Sequence, residues 1–109
     1  MPRPENVPEL PFEKPEQLVE LETLGPDRLS AMTPTEAHER MQEAAYALAY
    51  AYRKKACGNQ EGCVLTVSSA LAVTGGAINT KVGVSLVAES NQLAQEACAV
   101  VYTDDTLEY

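Results

Sequence analysis

The sequence has few of the residue types that most often carry chemistry or bind nucleic acid. It contains one histidine, one phenylalanine and no tryptophan, and 8 Lys+Arg stand against 16 Asp+Glu, for a net charge of -8. Cations that meet backbone phosphates supply most non-specific affinity for nucleic acid. We therefore expect no direct contact between this protein and DNA or RNA.

Long apolar runs are also missing. A membrane-spanning helix needs about 20 predominantly apolar residues, and the chain has no such run. The first residues, Met1-Pro2-Arg3-Pro4-Glu5, lack the apolar core of a signal peptide. We therefore expect a cytoplasmic protein that does not bind a membrane.

The three cysteines are an odd number, at Cys57, Cys63 and Cys98. Reduced, buried thiols are the expected state in a cytoplasmic protein. Cys57 and Cys63 flank a Gly-Asn-Gln-Glu-Gly segment, so a disulfide between them is an alternative that would imply an oxidising compartment or redox sensing. Their spacing is not the C-x2-C of zinc sites, and we expect no metal.

The residues that could perform catalysis do not form a recognisable motif. His38 lies among charged residues near the start of a predicted helix and is expected to be solvated. The Gly75-Gly76 pair lacks the longer spacing of phosphate-binding loops. Nucleophilic catalysis needs a nucleophile beside a base that a third group orients. We predict no catalytic residue, no cofactor and no enzymatic activity.

Proline divides the chain into two segments. All seven prolines lie within the first 34 residues, and proline disfavours helices and central strands. Residues 1–32 are therefore predicted to be an extended, acidic, Pro-rich arm, and residues 33–109 a small core. Residues 16–24 are long enough for about two helical turns, which would be marginal in isolation. The apolar residues of the arm predict that it lies on a surface of its own core, of a sister subunit or of another protein, and a flexible terminus is the alternative. The residues expected to make this contact are Phe12, Leu18, Leu21 and Leu24.

A long helix is predicted to begin after residue 33. Thr33-Pro34-Thr35-Glu36 combines an N-cap threonine, proline at the first helical position and glutamate three residues after the cap. The helix is expected to reach Arg53-Lys54-Lys55, where cations suit the negative end of the helix dipole. Gly58 is expected to end it.

The middle of this helix has no charged residue between Ala44 and Tyr52. A helix that is apolar all round is buried on more than one side. One interpretation is that the arm crosses its back. The other is that Tyr46 and Tyr50 meet another copy or a partner, because tyrosine is enriched at interfaces.

Two strands are predicted after Cys63, over residues 64–73 and 82–88, because apolar residues alternate there. The glycines of residues 74–81 predict the turn of an antiparallel hairpin, and a helix over 66–73 is the alternative. A second helix is predicted over 91–101, with a third strand over 97–102 left open. The predicted fold class is α+β: a long helix, a β-hairpin and a C-terminal helix, preceded by the extended arm.

A small core without disulfides or metal is expected to gain stability by association. We expect a non-enzymatic protein-interaction module, a small acidic adaptor or inhibitor, that binds another protein and forms a homo-oligomer. A basic partner would suit its charge. The alternative function is a structural subunit of a virus particle or other assembly, in which the arm ties neighbours together. A small-molecule binder with a pocket between subunits is a third option.

Overall fold

The computed structural model describes residues 10–82 and 86–103, and this part of the chain is helical. Five α-helices and one short π-helical turn follow each other along it. Their bounds are α1 Glu16–Glu22, α2 Pro26–Ala31, α3 Pro34–Ala51, the π turn Tyr52–Ala56, α4 Gln60–Val82 and α5 Leu86–Thr103.

The predicted α+β fold class is wrong, because no strand occurs in residues 10–82 or 86–103. Residues 64–73 lie inside α4, so the helix considered as the alternative is correct. The buried residues of α4 recur every three or four positions, as a helix requires; they are Cys63, Val67, Ala70, Leu71, Thr74 and Ile78. The apparent alternation arose because apolar residues also occupy exposed positions of α4, such as Leu65 and Val73.

The predicted turn and the remaining strands are corrected in the same way. Gly75 and Gly76 lie inside α4 rather than in a turn. Of the predicted strand 82–88, residue 82 ends α4 and Leu86 begins α5, while residues 83–85 lie outside the described part. Residues 97–102, left open as a third strand, belong to α5. The predicted C-terminal helix is confirmed, with an earlier start.

The beginning of α3 follows the sequence prediction. The Thr33 Oγ1 atom accepts a hydrogen bond from the Glu36 backbone N–H at 3.1 Å, as an N-cap residue does. The Glu36 carboxylate accepts a hydrogen bond from Arg40 Nε at 3.1 Å, one turn later on the helix. The cap therefore fixes where α3 begins, and Glu36 also pairs along the helix surface.

The end of α3 differs from the prediction. The helix widens into the π turn Tyr52–Ala56, and Cys57 adopts a left-handed conformation with φ 55°. Gly58 was expected to end the helix, but the residue with positive φ is Cys57. A left-handed residue commonly ends a helix because it reverses the direction of the backbone.

Helices α3, α4 and α5 form a three-helix bundle. The α4 residue Gly75 lies against Leu86, whereas Cys63 meets Cys98, so α4 and α5 are antiparallel. His38 near the start of α3 pairs with Glu89 near the start of α5, so these two helices run parallel. The buried hydroxyls of Thr74 and Ser90 donate hydrogen bonds to backbone carbonyls within their own helices, which satisfies them inside the core.

The N-terminal segment is not extended throughout, contrary to the predicted fold class. Pro15 precedes α1 and Pro26 is the first residue of α2, and proline is compatible with both positions because the first N–H groups of a helix have no partner within it. Leu18 and Leu21 of α1 are buried in the core of the bundle. Residues 1–9, with Pro2, Pro4 and Pro8, lie outside the described residues.

Candidate interaction surface

A surface groove of about 750 Å³ lies between the N-terminal segment, α3 and α5. We call it the tyrosine groove. Its lining residues are Glu13, Pro15, Gln17, Glu43, Tyr46, Ala47, Tyr50, Ala51, Val100 and Val101. It contains both tyrosines that the sequence selected as interaction residues.

The two tyrosines lie one turn apart on α3, and their spacing places them on one helix face. Tyr46 is half-buried against the core, whereas Tyr50 is 39% exposed. Lys54, one further turn along the chain, has its Nζ 3.4 Å from the Tyr50 hydroxyl and 5.4 Å from the ring centroid. This contact supports the Tyr50 ring from the C-terminal side.

The groove combines apolar and acidic lining residues. Ala47 and Ala51 are small and leave space between the tyrosines, and Val100 of α5 is 49% exposed. Two lining carboxylates, Glu13 and Glu43, are exposed. Such a surface can bury an apolar side chain while its carboxylates face a cation.

The arm residues selected from the sequence contact the chain's own core. Leu18 and Leu21 are buried, and Phe12 and Leu24 are partly buried against them. The structure therefore does not bring these four side chains into the tyrosine groove. The arm contributes instead through Glu13, Pro15 and Gln17.

Sequence reasoning missed Val100 and Val101 as lining residues. The helical spacing of Leu93, Ala97 and Val101 indicates one buried stripe on α5. Val100 lies beside that stripe, so its exposure could have been inferred once the helix was extended to Thr103. Because the sequence leaves residues 97–102 undecided between helix and strand, it does not by itself determine which face Val100 occupies.

The C-terminal end of α3 is joined to α5 by polar contacts. The Tyr102 hydroxyl donates a hydrogen bond to the Gly58 carbonyl at 2.6 Å. The Arg53 guanidinium lies 5.4 Å from the centroid of the Tyr102 ring and donates a hydrogen bond to the Val101 carbonyl. These contacts fix α5 beside the π turn, next to the Val100 wall of the tyrosine groove.

A second groove, of about 900 Å³, lies between the beginning of α4 and the C-terminal half of α5. We call it the α4–α5 groove. Its lining residues are Asn59, Gln60, Glu61, Val64, Leu65, Gln95 and Ala99. Leu65 is 69% exposed, and residues 62–80 contain no charged residue. Between Glu61 and Lys81, α4 therefore presents no charged side chain although the chain is acidic.

The geometry separates the histidine from the cysteines. His38 Nδ1 lies 3.1 Å from Glu89 Oε2 near the beginning of α3. Cys57 follows the π turn beyond the other end of α3, and that end, at Ala51, is about 20 Å from His38 at about 1.5 Å per residue. The Cys63 sulfur lies 4.0 Å from the Ala49 carbonyl, also toward that distant end. No cysteine is therefore placed to use His38 as a base.

The cysteines that meet are not the pair considered from sequence. Cys57 is exposed, whereas Cys63 and Cys98 are buried. Interaction with the Cys98 thiol and burial raise the pKa of Cys63, and interaction with the Cys63 thiol lowers the pKa of Cys98. Within residues 10–82 and 86–103, no group of three or more His, Cys, Asp or Glu residues is arranged to hold a metal ion.

Comparison with protein-family models, curated proteins and solved structures finds no match to this chain. In the described residues, no helix combines the length and the apolar character that crossing a membrane requires.

Proposed function

We propose that this protein is a non-enzymatic protein-interaction module, an adaptor or inhibitor that binds a basic segment of another protein in the tyrosine groove. One observation carries the proposal: the exposed apolar surfaces of Tyr50 and Val100 share a groove with the carboxylates of Glu13 and Glu43. A segment with an apolar side chain flanked by lysine or arginine complements this arrangement. The cytoplasm remains the proposed compartment, on the composition and the cysteine count alone.

The dimensions and chemistry of the groove support a short segment as the ligand. The groove is open to solvent along the surface and has a volume of about 750 Å³, so a peptide segment can lie along it without being enclosed. Tyrosine contributes a large contact area while losing little conformational entropy. The net charge of -8 adds long-range attraction for a cationic segment.

A library of random peptides displayed on phage tests the proposal. The purified protein is used for selection, and peptides that also bind a Val100→Arg variant are removed. We expect the remaining peptides to carry lysine or arginine beside an apolar residue, and their binding to weaken as salt concentration rises because exposed charges are screened. The proposal would be contradicted if the selected peptides were acidic, or if every selected peptide bound the Val100→Arg variant as well as the wild-type protein.

Matched variants then locate the binding site. Val100→Ala should weaken binding of a selected peptide by about 5–10-fold, and Tyr50→Ala by more, since truncating a central interface residue costs about 1–2 kcal/mol or more. Val87→Ala is the control, because Val87 lies on the same helix, is 45% exposed and lines neither groove. Equal losses in Val87→Ala and Val100→Ala would remove the tyrosine groove from the proposal.

A second candidate function is self-association as a structural subunit. The observation that favours it is the stretch of α4 between Glu61 and Lys81, which has no charged residue and in which Leu65 is 69% exposed and Val73 39% exposed. Two copies of an acidic chain repel each other least when they meet through surfaces that carry no charged side chains. In this version α4 would make the contact, since Leu18 and Leu21 of the arm are already buried in their own chain.

A further inference from the structure

Two thiols from distant parts of the sequence meet inside the bundle. Cys63 lies in the first turn of α4 and Cys98 in the C-terminal half of α5. Both residues are 0% exposed. Gly75 of α4 lies against Leu86 of α5, and Cys63 precedes Gly75 by 12 residues as Cys98 follows Leu86 by 12. The antiparallel register therefore places the two buried cysteines side by side, and each thiol shifts the pKa of the other.

The third cysteine is separated from this pair. Cys57 is exposed and follows the π turn, and its thiol donates a weak hydrogen bond to the Lys54 carbonyl at 3.8 Å. Cys63 instead faces the core, where its thiol lies 4.0 Å from the Ala49 carbonyl. Cys57 and Cys63 are therefore close in sequence, but one side chain is exposed and the other faces the core.

We propose that Cys63 and Cys98 are a modification site, at which a peroxide forms a disulfide that links α4 to α5 and that a dithiol reductant returns to two thiols. The two side chains are neighbours, and the bond requires the sulfur atoms to approach to about 2.05 Å. The link would join the first turn of α4 to the C-terminal half of α5.

The chemistry balances with hydrogen peroxide as the oxidant. The Cys98 thiolate attacks one peroxide oxygen, the O–O bond breaks, and the released hydroxide takes a proton to become water, which leaves a sulfenic acid. The Cys63 sulfur then attacks the Cys98 sulfur, and the sulfenic oxygen leaves as a second water. In total, two thiols and one peroxide molecule give one disulfide and two water molecules, and peroxide is reduced.

The different protonation of the two thiols fits this order of attack. Interaction with the Cys63 thiol lowers the pKa of Cys98 and makes it the more readily formed thiolate. The sequence neighbours of the pair, Val64 and Ala99, line the α4–α5 groove. Local opening at this groove therefore gives peroxide a short route to the sulfur atoms.

Intact mass and thiol counting test the proposal on the full chain. The reduced protein is treated with hydrogen peroxide, the excess is destroyed, and free thiols are measured after unfolding. We expect the thiol count to fall from three to one, the mass to fall by about 2 Da, and peptide mapping to join Cys63 to Cys98. Dithiothreitol should restore all three thiols. The melting temperature of the oxidised protein should be higher by about 10 °C, because a cross-link restricts the unfolded chain.

Variants of each cysteine make the test specific. Cys57→Ser should retain the cross-link, with no free thiol left after oxidation, whereas Cys63→Ala and Cys98→Ala should abolish it. Alanine is small and apolar, and circular dichroism confirms folding of each variant before treatment. The proposal is overturned if the folded wild-type protein keeps all three thiols, if Cys57 is one partner of the cross-link, or if Cys98 is oxidised without a disulfide.

The result is independent of the proposed function. Peptide binding by the reduced protein tests the tyrosine groove, and thiol counting tests the cysteine pair. If peptide binding fails, the disulfide proposal still stands, and if the disulfide does not form, the peptide-binding proposal still stands.

Discussion

Tyr52 and the glycines beside it show how single residues determine the junction between α3 and α4. A Cβ atom at Gly58 would lie 2.2 Å from the Tyr52 hydroxyl oxygen and 2.7 Å from the ring carbon that bears it. At Gly62 it would lie 2.3 Å from the same oxygen. The ring is therefore held over two positions that only glycine can occupy without displacing it. Sequence reasoning assigned Gly58 to a helix stop, but its role is to admit a close contact.

Gly58→Ala should lower the free energy of unfolding by about 1–3 kcal/mol, as overpacking in a close contact does. In a Tyr52→Ala background the same substitution should cost much less, because the ring that it displaces is gone. Urea unfolding of both single variants and the double variant measures this coupling. Gly25→Ala is the control, since no atom of residues 10–82 or 86–103 lies within 4 Å of its added Cβ. Additive effects of the Tyr52 and Gly58 changes would contradict this account of the junction.

Helix α4 shows why an element was assigned to the wrong class. Its β-branched residues and alternating apolar positions are typical of strands. The preference of β-branched residues against helix is only a few tenths of a kcal/mol, however, and packing on two neighbouring helices outweighs it. Small residues on α4 allow α5 to approach closely, most clearly at Gly75, where an added Cβ would lie 3.2 Å from the Leu86 backbone.

The two adjacent glycines of α4 should respond differently to alanine. Gly76→Ala should raise the free energy of unfolding by about 0.5–1 kcal/mol, because alanine favours helix and, among the described residues, the new Cβ meets Val87 alone, at 3.7 Å. Gly75→Ala has the same helix preference but crowds the Leu86 backbone and the Met41 side chain, and should lower stability. Thermal and urea unfolding of the two variants provide the comparison. Equal stabilisation would mean that α5 does not pack closely at Gly75.

The whole molecule combines an acidic surface with a core that includes its N-terminal segment. Leu18 and Leu21 are buried with α3 residues such as Ala45 and Leu48, so α1 covers part of the uncharged middle of α3. This explains most of the missing charge between Ala44 and Tyr52 within one chain. The tyrosine groove and the outward side of α4 are what remain for contact with other molecules.

The second candidate function predicts self-association through α4. Light scattering at tens of micromolar should then give a mass about twice the 11.8 kDa of one chain. Leu65→Lys should restore the monomer, because it places a charge at the most exposed apolar side chain of the contact. Val19→Lys is the matched control, since Val19 is 40% exposed on α1. A wild-type monomer would remove this candidate and leave peptide binding untouched.

The sequence by itself determined the local features whose physics is local. The N-cap at Thr33, the start of α3 and the existence of a helix near the C-terminus follow from residues only a few positions apart. The excess of negative charge and the selection of Tyr46 and Tyr50 as residues of interest needed no structure. Whether those tyrosines bind a partner stays a prediction.

Only the tertiary structure decided what depends on neighbours from distant parts of the chain. It made α4 a helix because contacts with α3 and α5 outweigh weak strand preferences, and it made Leu18 part of the core rather than of a free arm. It added Val100 to the tyrosine groove. It also showed that the neighbour of Cys63 is Cys98, and not Cys57 as the sequence spacing suggested. Burial and proximity are properties of the packed bundle, and no short window of sequence contains them.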